Sequence, residues 1–256
     1  MPRYFIELAY KGSAYHGWQI QPNAITVQER LNKALSTLTR EEIETTGCGR
    51  TDTGVHASIF YAHFDQKSPI DNPKQLVFQL NAVLPFDIRV REIHPVAENA
   101  HARFDATLRS YGYYIFRKPG PFLHGLGWHF NRTLDVDAMN EAAKLCLDHM
   151  DFACFGKHGG QQHTNLCTVS ECRWEDLGST LLFTVSANRF LRGMVRAMVG
   201  SFIDIGEHKS SIANFQNILQ YGDRKLAGES VPPEGLFLEE IRYPYLPDQR
   251  VSPFNP

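Results

Sequence analysis

The 256-residue sequence has no apolar run of about 18 residues, the length that a membrane-spanning helix needs. Residues 1–7 alternate like a strand and lack the long apolar segment of a secretory signal peptide. Cysteine is scarce: there are five, an odd number that argues against a disulfide framework and favours reduced thiols. We therefore expect a cytoplasmic protein that does not enter a membrane.

The sequence also lacks an excess of positive charge, which is the usual mark of a nucleic-acid-binding protein. It has 26 Lys and Arg against 28 Asp and Glu, a net charge of −2. The basic residues are nevertheless unevenly spread: residues 101–132 contain five of them and one acid, and residues 189–196 contain three arginines and no acid. A local basic face can bind a polyanion on a neutral protein. The alternative, scattered solvated charges, stays open on pattern alone.

Hydrophobic periodicity predicts two similar halves. In the first, Thr26 with Glu29 forms a capping box at a helix start, and Pro73 opens a second helix. Strands are predicted at 3–10, 42–48, 57–65 and 87–96, which gives the order β-α-β-β-α-β.

The second half repeats much of this order. Strands are predicted at 107–117, 166–175, 180–187 and 236–243, and helices at 135–149, 191–206 and 211–221. We therefore predict an α+β protein with two ferredoxin-like halves, residues 1–104 and 105–256. The antiparallel sheets of the halves are expected side by side, with a central cleft as a ligand site.

The loop G-R-T-D-T-G at 49–54 lies between two predicted strands and has a glycine at each end. Glycine allows positive φ and close backbone approach, so such a turn can hold Asp52 rigidly at a strand end. An aspartate between glycines is more often a turn former than a catalytic group. The loop by itself does not decide between these two roles.

A set of motifs in a fixed order resembles the tRNA pseudouridine synthase A family. It includes Y-H-G-W-Q-I-Q at 15–21, T-V-Q at 26–28, G-R-T-D-T-G-V-H-A at 49–57, L-N-A-V-L-P at 80–85 with D-I at 87–88, H-A-R-F-D-A at 101–106, Y-G-Y at 111–113, F-L-R-G-M-V-R at 190–196 and G-L-F-L at 235–238. The motifs span nearly the whole chain. Thr53 stands where the family usually has alanine, and the segment from Phe155 to Asn165 departs from the family pattern.

The resemblance implies an enzyme that converts uridine to pseudouridine at positions 38–40 of the tRNA anticodon stem-loop. It implies a homodimer that uses no cofactor and no metal. The uracil N1–C1′ bond must break and C5 must bond to C1′. A carboxylate can start this by adding to C6 or by attacking C1′, and sequence does not choose between the routes.

The resemblance also assigns residues. Asp52 is the nucleophile, and Arg196 occupies the position of the arginine that pairs with it and keeps it ionised. Tyr111 occupies the active-site tyrosine position, where a ring can stack on a flipped uracil. Arg50 is the first candidate to hold the flipped nucleotide. Further candidates for phosphate contacts are Arg103, Arg109 and Arg192, with Lys118 and Arg189.

Two other interpretations compete with this one. Zinc can accept Cys and His ligands, and five of these lie within 19 residues: Cys154, His158, His163, Cys167 and Cys172. The set has no C-x2-C pair, and Cys167 and Cys172 fall in a predicted strand, where cysteine is a small core residue. A non-catalytic tRNA-binding module is the second alternative, but it need not keep Asp52, Tyr111 and Arg196 together.

Overall fold

The computed structural model describes residues 1–157 and 164–254. These residues contain nine strands and five α-helices. In chain order they are β1 (Arg3–Tyr10), α1 (Val27–Thr39), β2 (Thr46–Gly47), β3 (His56–Asp65), α2 (Pro73–Val83), β4 (Ile88–Val96), β5 (Leu108–Phe116), β6 (Trp128–His129), α3 (Val136–Leu145), β7 (Val169–Asp176), β8 (Thr180–Ala187), α4 (Met194–Gly206), α5 (Ile212–Tyr221) and β9 (Leu236–Arg242). The protein is a mixed α+β protein.

The chain divides into two compact units. Unit 1 comprises Met1–Thr107 and Phe237–Pro256, and unit 2 comprises Leu108–Leu236. The predicted halves, 1–104 and 105–256, differ from this division in assigning the C-terminal segment to the second half. Among the described helices, none is both long and apolar enough to cross a bilayer.

The sheet of unit 1 is built around β1, which lies between β4 and β3 and is antiparallel to both. The other edge of β3 is shared by two strands. β2 pairs with it in antiparallel orientation at Thr46 and His63, and β9 pairs with it in parallel at His56 and Phe237. The loop that carries Asp52 therefore joins two strands that are neighbours in one sheet.

The helices of unit 1 begin where their capping residues predict. The Thr26 side chain accepts from the Glu29 amide, and the Asn72 side chain accepts from the Gln75 amide just before Pro73 enters α2. Each such cap stabilises its helix by about 1 kcal/mol. The stripe of α1 that faces the core consists of Val27, Leu31, Ala34 and Leu35, all buried.

The strand predicted at 42–48 is wrong for most of its length, since β2 contains only Thr46 and Gly47. The backbone just before β2 is hydrogen-bonded to side chains of α1 and not to a neighbouring strand. The Ile43 amide donates to Ser36 Oγ at 2.9 Å, and the Thr45 amide donates to Asn32 Oδ1 at 3.1 Å. Polar side chains on the inner turns of a helix can replace a sheet partner in this way.

In unit 2, β8 lies between β5 and β7 and is antiparallel to both, and the short β6 pairs in parallel with β5. The helix predicted at 135–149 ends at Leu145, because the amides of Cys146 and Leu147 bond to carbonyls three residues back. The helix predicted at 191–206 begins only at Met194, after Gly193 with a φ of +73°. The strand β6 was not predicted.

Candidate active site

Asp52 lies in the loop between β2 and β3, and the loop is folded into a turn. The Val55 amide donates to the Asp52 carbonyl at 3.1 Å, and Gly54 within the turn has a φ of +80°. Thr51 is buried, Asp52 is half-buried and Thr53 is exposed. The Asp52 side chain is therefore reachable from solvent, while the residue before it is fixed in the interior.

Thr51, the residue before Asp52, is hydrogen-bonded through both its side chain and its carbonyl. The Tyr10 hydroxyl and Thr51 Oγ1 lie 2.9 Å apart in a buried hydrogen bond that either can donate. The Trp18 amide donates to the Thr51 carbonyl at 3.4 Å. The peptide group that leads into Asp52 is thus held from β1 and from the loop after it.

The other end of the Asp52 turn is hydrogen-bonded to the loop that follows β1. The Gly54 amide donates to the Tyr15 carbonyl at 3.3 Å, and the Gly12 amide donates to His56 Nδ1 at 3.0 Å. Since Nδ1 is the acceptor, the neutral His56 ring carries its proton on Nε2. His56 is buried, and its bond to the Gly12 amide gives it a structural use.

Tyr15 and Asp87 anchor this supporting loop. The Tyr15 hydroxyl donates to Asp87 Oδ1 at 2.6 Å, and the Lys11 amide donates to the Asp87 carbonyl at 2.9 Å. Burial raises the pKa of the Tyr15 hydroxyl, and the neighbouring carboxylate raises it further, so the donor stays protonated at neutral pH. Asp87 and Tyr15 therefore act together in fixing the loop that follows β1.

Trp18 is a core residue rather than an exposed stacking platform. It is 2% exposed, and its ring lies 4.2 Å from that of Phe60 and 6.4 Å from that of Tyr10, centroid to centroid. Gly47 passes so close that a Cβ there would lie 2.4 Å from Trp18 Nε1. Trp18 of the Y-H-G-W motif thus supports the Asp52 loop from the core of unit 1.

Tyr111 lies on β5 of unit 2, opposite Val185 of β8, and is half-buried. Its ring meets that of Phe190 edge to face, with centroids 5.1 Å apart and an interplanar angle of 89°. Tyr113 is instead fully buried and donates to the Pro232 carbonyl at 2.8 Å. Tyr114 is also buried, and Tyr111 is the accessible one of the three.

Arg196 lies on the first turn of α4 and is half-buried. Its Nε donates to the Val231 carbonyl at 2.6 Å, and the Val231 amide donates back to the Arg196 carbonyl at 3.2 Å. The apolar residues around it are buried: Leu191 before the helix, and Val195, Met198 and Val199 within it. Arg196 is therefore fixed on a rigid helix rather than extended into solvent.

Known proteins resemble this chain over most of its length. A family model described as tRNA pseudouridine synthase matches residues 142–244. tRNA pseudouridine synthase A of Parabacteroides distasonis is 46% identical over 244 residues, which cover 95% of this chain and 97% of the relative. The chain belongs to the tRNA pseudouridine synthase A family.

Other members of the family match over similar lengths. The proteins of the same name from Bacteroides thetaiotaomicron and Aliivibrio salmonicida are 45% and 39% identical, over 95% and 97% of this chain and 91% and 95% of their own lengths. The resemblance seen in the motifs is confirmed. The chain is an enzyme of this family rather than a non-catalytic RNA-binding module.

The basic residues singled out from the sequence lie in both units. In unit 1, Arg50 is exposed beside the Asp52 turn, and the Arg103 guanidinium lies 5.6 Å from the centre of the Phe104 ring. In unit 2, Arg109 donates from Nη1 to the Asn188 carbonyl at 3.1 Å, and Arg192 is exposed. Asn188 is held by Thr168, whose amide donates to Asn188 Oδ1 at 2.8 Å.

Sequence reasoning missed three residues of these surroundings. Tyr10 and Thr51 bond to each other beneath Asp52, and no local pattern links them because they are 41 residues apart. Lys157 donates its amide to the Arg192 carbonyl at 3.0 Å and is exposed. Lys157 lies within the segment from Phe155 to Asn165 that departs from the family pattern, so no motif points to it.

The cysteines considered for zinc are buried where they are described. Cys154, Cys167 and Cys172 are each at most 6% exposed, and His158 and His163 lie outside the described residues. Burial raises the pKa of Cys154 to about 12 and that of Cys167 to about 11. The burial of these three cysteines agrees with a role as small core residues.

Proposed function

We propose that this protein isomerises uridine to pseudouridine at positions 38–40 of the tRNA anticodon stem-loop, with Asp52 as the nucleophile. The observation that carries the proposal is the half-buried Asp52 in a turn that is hydrogen-bonded at both ends, in a chain of the tRNA pseudouridine synthase A family. A fixed backbone with an accessible carboxylate is what nucleophilic attack requires, because reacting groups must be held in near-attack geometry.

The reaction proceeds on a uridine that has left its stack, since the uracil ring cannot be reached inside a folded stem-loop. The Asp52 carboxylate forms a covalent bond to C6 of the ring or to C1′ of the ribose. The N1–C1′ bond breaks, the ring turns, and C5 bonds to C1′. C5 loses its proton, N1 gains one, and Asp52 is released. The product is an isomer of the substrate, so no external oxidant or reductant is needed.

Arg196 is proposed to keep Asp52 ionised and oriented, and Tyr111 to hold the base. The support for Arg196 is its fixed seat on the first turn of α4, where its Nε donates to the Val231 carbonyl at 2.6 Å. A guanidinium held in this way can make a planar contact with a carboxylate. The support for Tyr111 is its half-buried ring, braced edge-on by Phe190. A braced ring can stack on uracil without loss of side-chain freedom on binding.

Arg50, Arg103, Arg109 and Arg192 are proposed to contact the tRNA backbone. Arg50 is exposed next to the nucleophile and is the candidate for the flipped nucleotide. Arg109 is bonded to the Asn188 carbonyl, which orients its guanidinium before any phosphate arrives. Such contacts fix the register of the RNA and carry no sequence information by themselves.

The proposal extends to the fold and the assembly. Unit 1 has the strand neighbours β4-β1-β3-β2 with antiparallel pairing throughout, which supports a ferredoxin-like half. Unit 2 has the antiparallel neighbours β5-β8-β7, which supports a related half. The arrangement of the halves around a central cleft and the homodimer stay predictions from the sequence.

The proposal is tested by incubating the protein with unmodified tRNA transcripts and mapping pseudouridine at each position. The wild type is expected to modify uridines at 38, 39 or 40. Asp52→Asn is expected to lower turnover by roughly 10³-fold or more while tRNA binding is kept. Asp71→Asn, an exposed aspartate of the same unit, is the matched control and is expected to keep full activity. Modification elsewhere only, or equal turnover by Asp52→Asn, would overturn the proposal.

A further inference from the structure

We propose that Tyr10 is a positioning residue that sets the orientation of Asp52 through its hydrogen bond to Thr51. This inference rests on the proposed role of Asp52 as the nucleophile. The Tyr10 hydroxyl and Thr51 Oγ1 lie 2.9 Å apart, and the two residues are 4% and 8% exposed. Asp52 follows Thr51 directly, so a rotation of the Thr51 backbone turns the nucleophile with it.

Tyr10 can serve as a fixed reference because its ring is confined. Tyr10 is the last residue of β1, and the pairing of β1 with β3 shifts register between Leu8 and Tyr10. The ring lies against Phe60 at 5.6 Å and Trp18 at 6.4 Å between centroids. The hydroxyl position is therefore set by the sheet and its aromatic core, independently of the loop that it holds.

Thr51 transmits this constraint because both its hydroxyl and its carbonyl are hydrogen-bonded. Its hydroxyl meets Tyr10 and its carbonyl accepts the Trp18 amide at 3.4 Å. A rotation of the loop at this residue would leave a buried hydroxyl without its partner, which is strongly disfavoured. The bond thus restricts the loop to one orientation at the residue where orientation decides the attack, and an error of about 1 Å in a reacting group can cost ~100-fold in rate.

The test compares variants that each lose one hydroxyl group, at different positions of unit 1. Tyr10→Phe and Thr51→Val each remove one hydroxyl of the pair, and Thr51→Ser keeps it. Tyr4→Phe is the matched control, because Tyr4 also lies on β1, is 5% exposed, and uses its hydroxyl in one hydrogen bond, from the Ile70 amide at 2.9 Å. Single-turnover rate, kcat, KM and tRNA Kd are measured for each variant, together with Tm.

Tyr10→Phe and Thr51→Val are each expected to lower kcat by ~10-fold or more, with KM and tRNA Kd within about twofold of the wild type. Tyr4→Phe is expected to lower Tm comparably and to leave kcat unchanged. The double variant Tyr10→Phe with Thr51→Val is expected to be no slower than the slower single variant, since both remove the same bond. Thr51→Ser is expected to keep most of the wild-type kcat.

A kcat for Tyr10→Phe that matches that of Tyr4→Phe would overturn the proposal, as would losses that multiply in the double variant. If Tyr10→Phe does not fold, Thr51→Val against Thr51→Ser carries the same comparison. Asp52→Asn is assayed in parallel to separate the two inferences. Retained turnover in Asp52→Asn would remove the nucleophile assignment, whereas an inactive Asp52→Asn beside a fully active Tyr10→Phe would remove only the positioning role.

Discussion

Gly17 and the Thr51 carbonyl are in closer contact than any other residue type would allow at position 17. A Cβ at Gly17 would lie 2.3 Å from the Thr51 carbonyl oxygen, and Gly17 also has a φ of +84°. We therefore expect Gly17→Ala to displace the turn that carries Asp52 and to lower kcat by ~100-fold. Steady-state kinetics on a tRNA transcript measure the effect.

Gly178→Ala is the control that separates the effect of the close contact at Gly17 from the effect of backbone strain. Gly178 lies in unit 2 with a similar φ of +77°, but a Cβ there would have nothing within 4 Å. This variant is expected to lose about 1 kcal/mol of unfolding free energy, from strain alone, and to keep its kcat. An unchanged kcat in Gly17→Ala would show that the turn tolerates displacement at Thr51.

Arg196 is expected to matter for catalysis beyond its contribution to stability. Arg196→Gln removes the cation and is expected to lower kcat by ~100-fold. Arg196→Lys keeps a charge but loses the planar guanidinium, and we expect a loss of ~10-fold. Both variants leave the Val231 carbonyl without its Nε donor, at a cost of about 1–2 kcal/mol in unfolding free energy.

Arg224→Gln is the matched control for this variant. Arg224 is also half-buried in unit 2 and donates from Nη1 to the carbonyls of Ala227 and Gly228. Its removal is expected to lower the unfolding free energy by a similar amount and to leave kcat intact. If Arg224→Gln and Arg196→Gln lower kcat equally, the loss reflects stability and not the active site.

The proposed phosphate contacts are distinguished by the salt dependence of binding. Arg103→Ala, Arg109→Ala and Arg192→Ala are each expected to weaken tRNA binding and to reduce the slope of log K against log salt by about 0.7–1. Arg173→Ala is the control, because its guanidinium is already paired with Glu171 and Glu175. An unchanged slope for any of the three variants removes that residue from the contact surface.

Local signals in the sequence predicted most helices and strands, because their causes are local. Thr26 and Pro73 start α1 and α2 through their own side chains, and periodicity identified the long strands. The failures come from distant partners. Residues 43–45 read as a strand but bond to Ser36 and Asn32 of α1, which no periodicity reports.

In the candidate site, too, local motifs indicate some residues, whereas the contacts that support them come from distant parts of the chain. The assignment of Asp52 as the nucleophile stays a prediction from the whole set of family motifs, since its loop alone does not decide its role. The support of that loop depends on a contact across 41 residues, between Tyr10 and Thr51. His56 shows the same limit. It belongs to the motif, but only the geometry shows that its Nδ1 accepts the Gly12 amide and so has a structural use.

The stability of unit 1 is expected to fall as the pH is lowered from 6.5 to 4 because of His63. His63 is buried, and its Nδ1 accepts the Ala102 amide at 3.1 Å. Burial lowers the pKa of His63 to about 4, and the charge of Arg3 contributes in the same direction. The unfolded chain, with a histidine pKa near 6.5, then binds more protons than the folded chain within this window.

The sign follows from the depressed pKa: the contribution of His63 is complete above pH 6.5 and is lost as the pH falls towards 4. Between pH 7.5 and pH 5 we expect it to decrease by roughly 2 kcal/mol. His63→Asn keeps an acceptor for the Ala102 amide but does not titrate in this range, so its unfolding free energy should change less over the same interval. Urea denaturation at both pH values measures the difference. Equal pH dependence in the two proteins would show that His63 is not the titrating group.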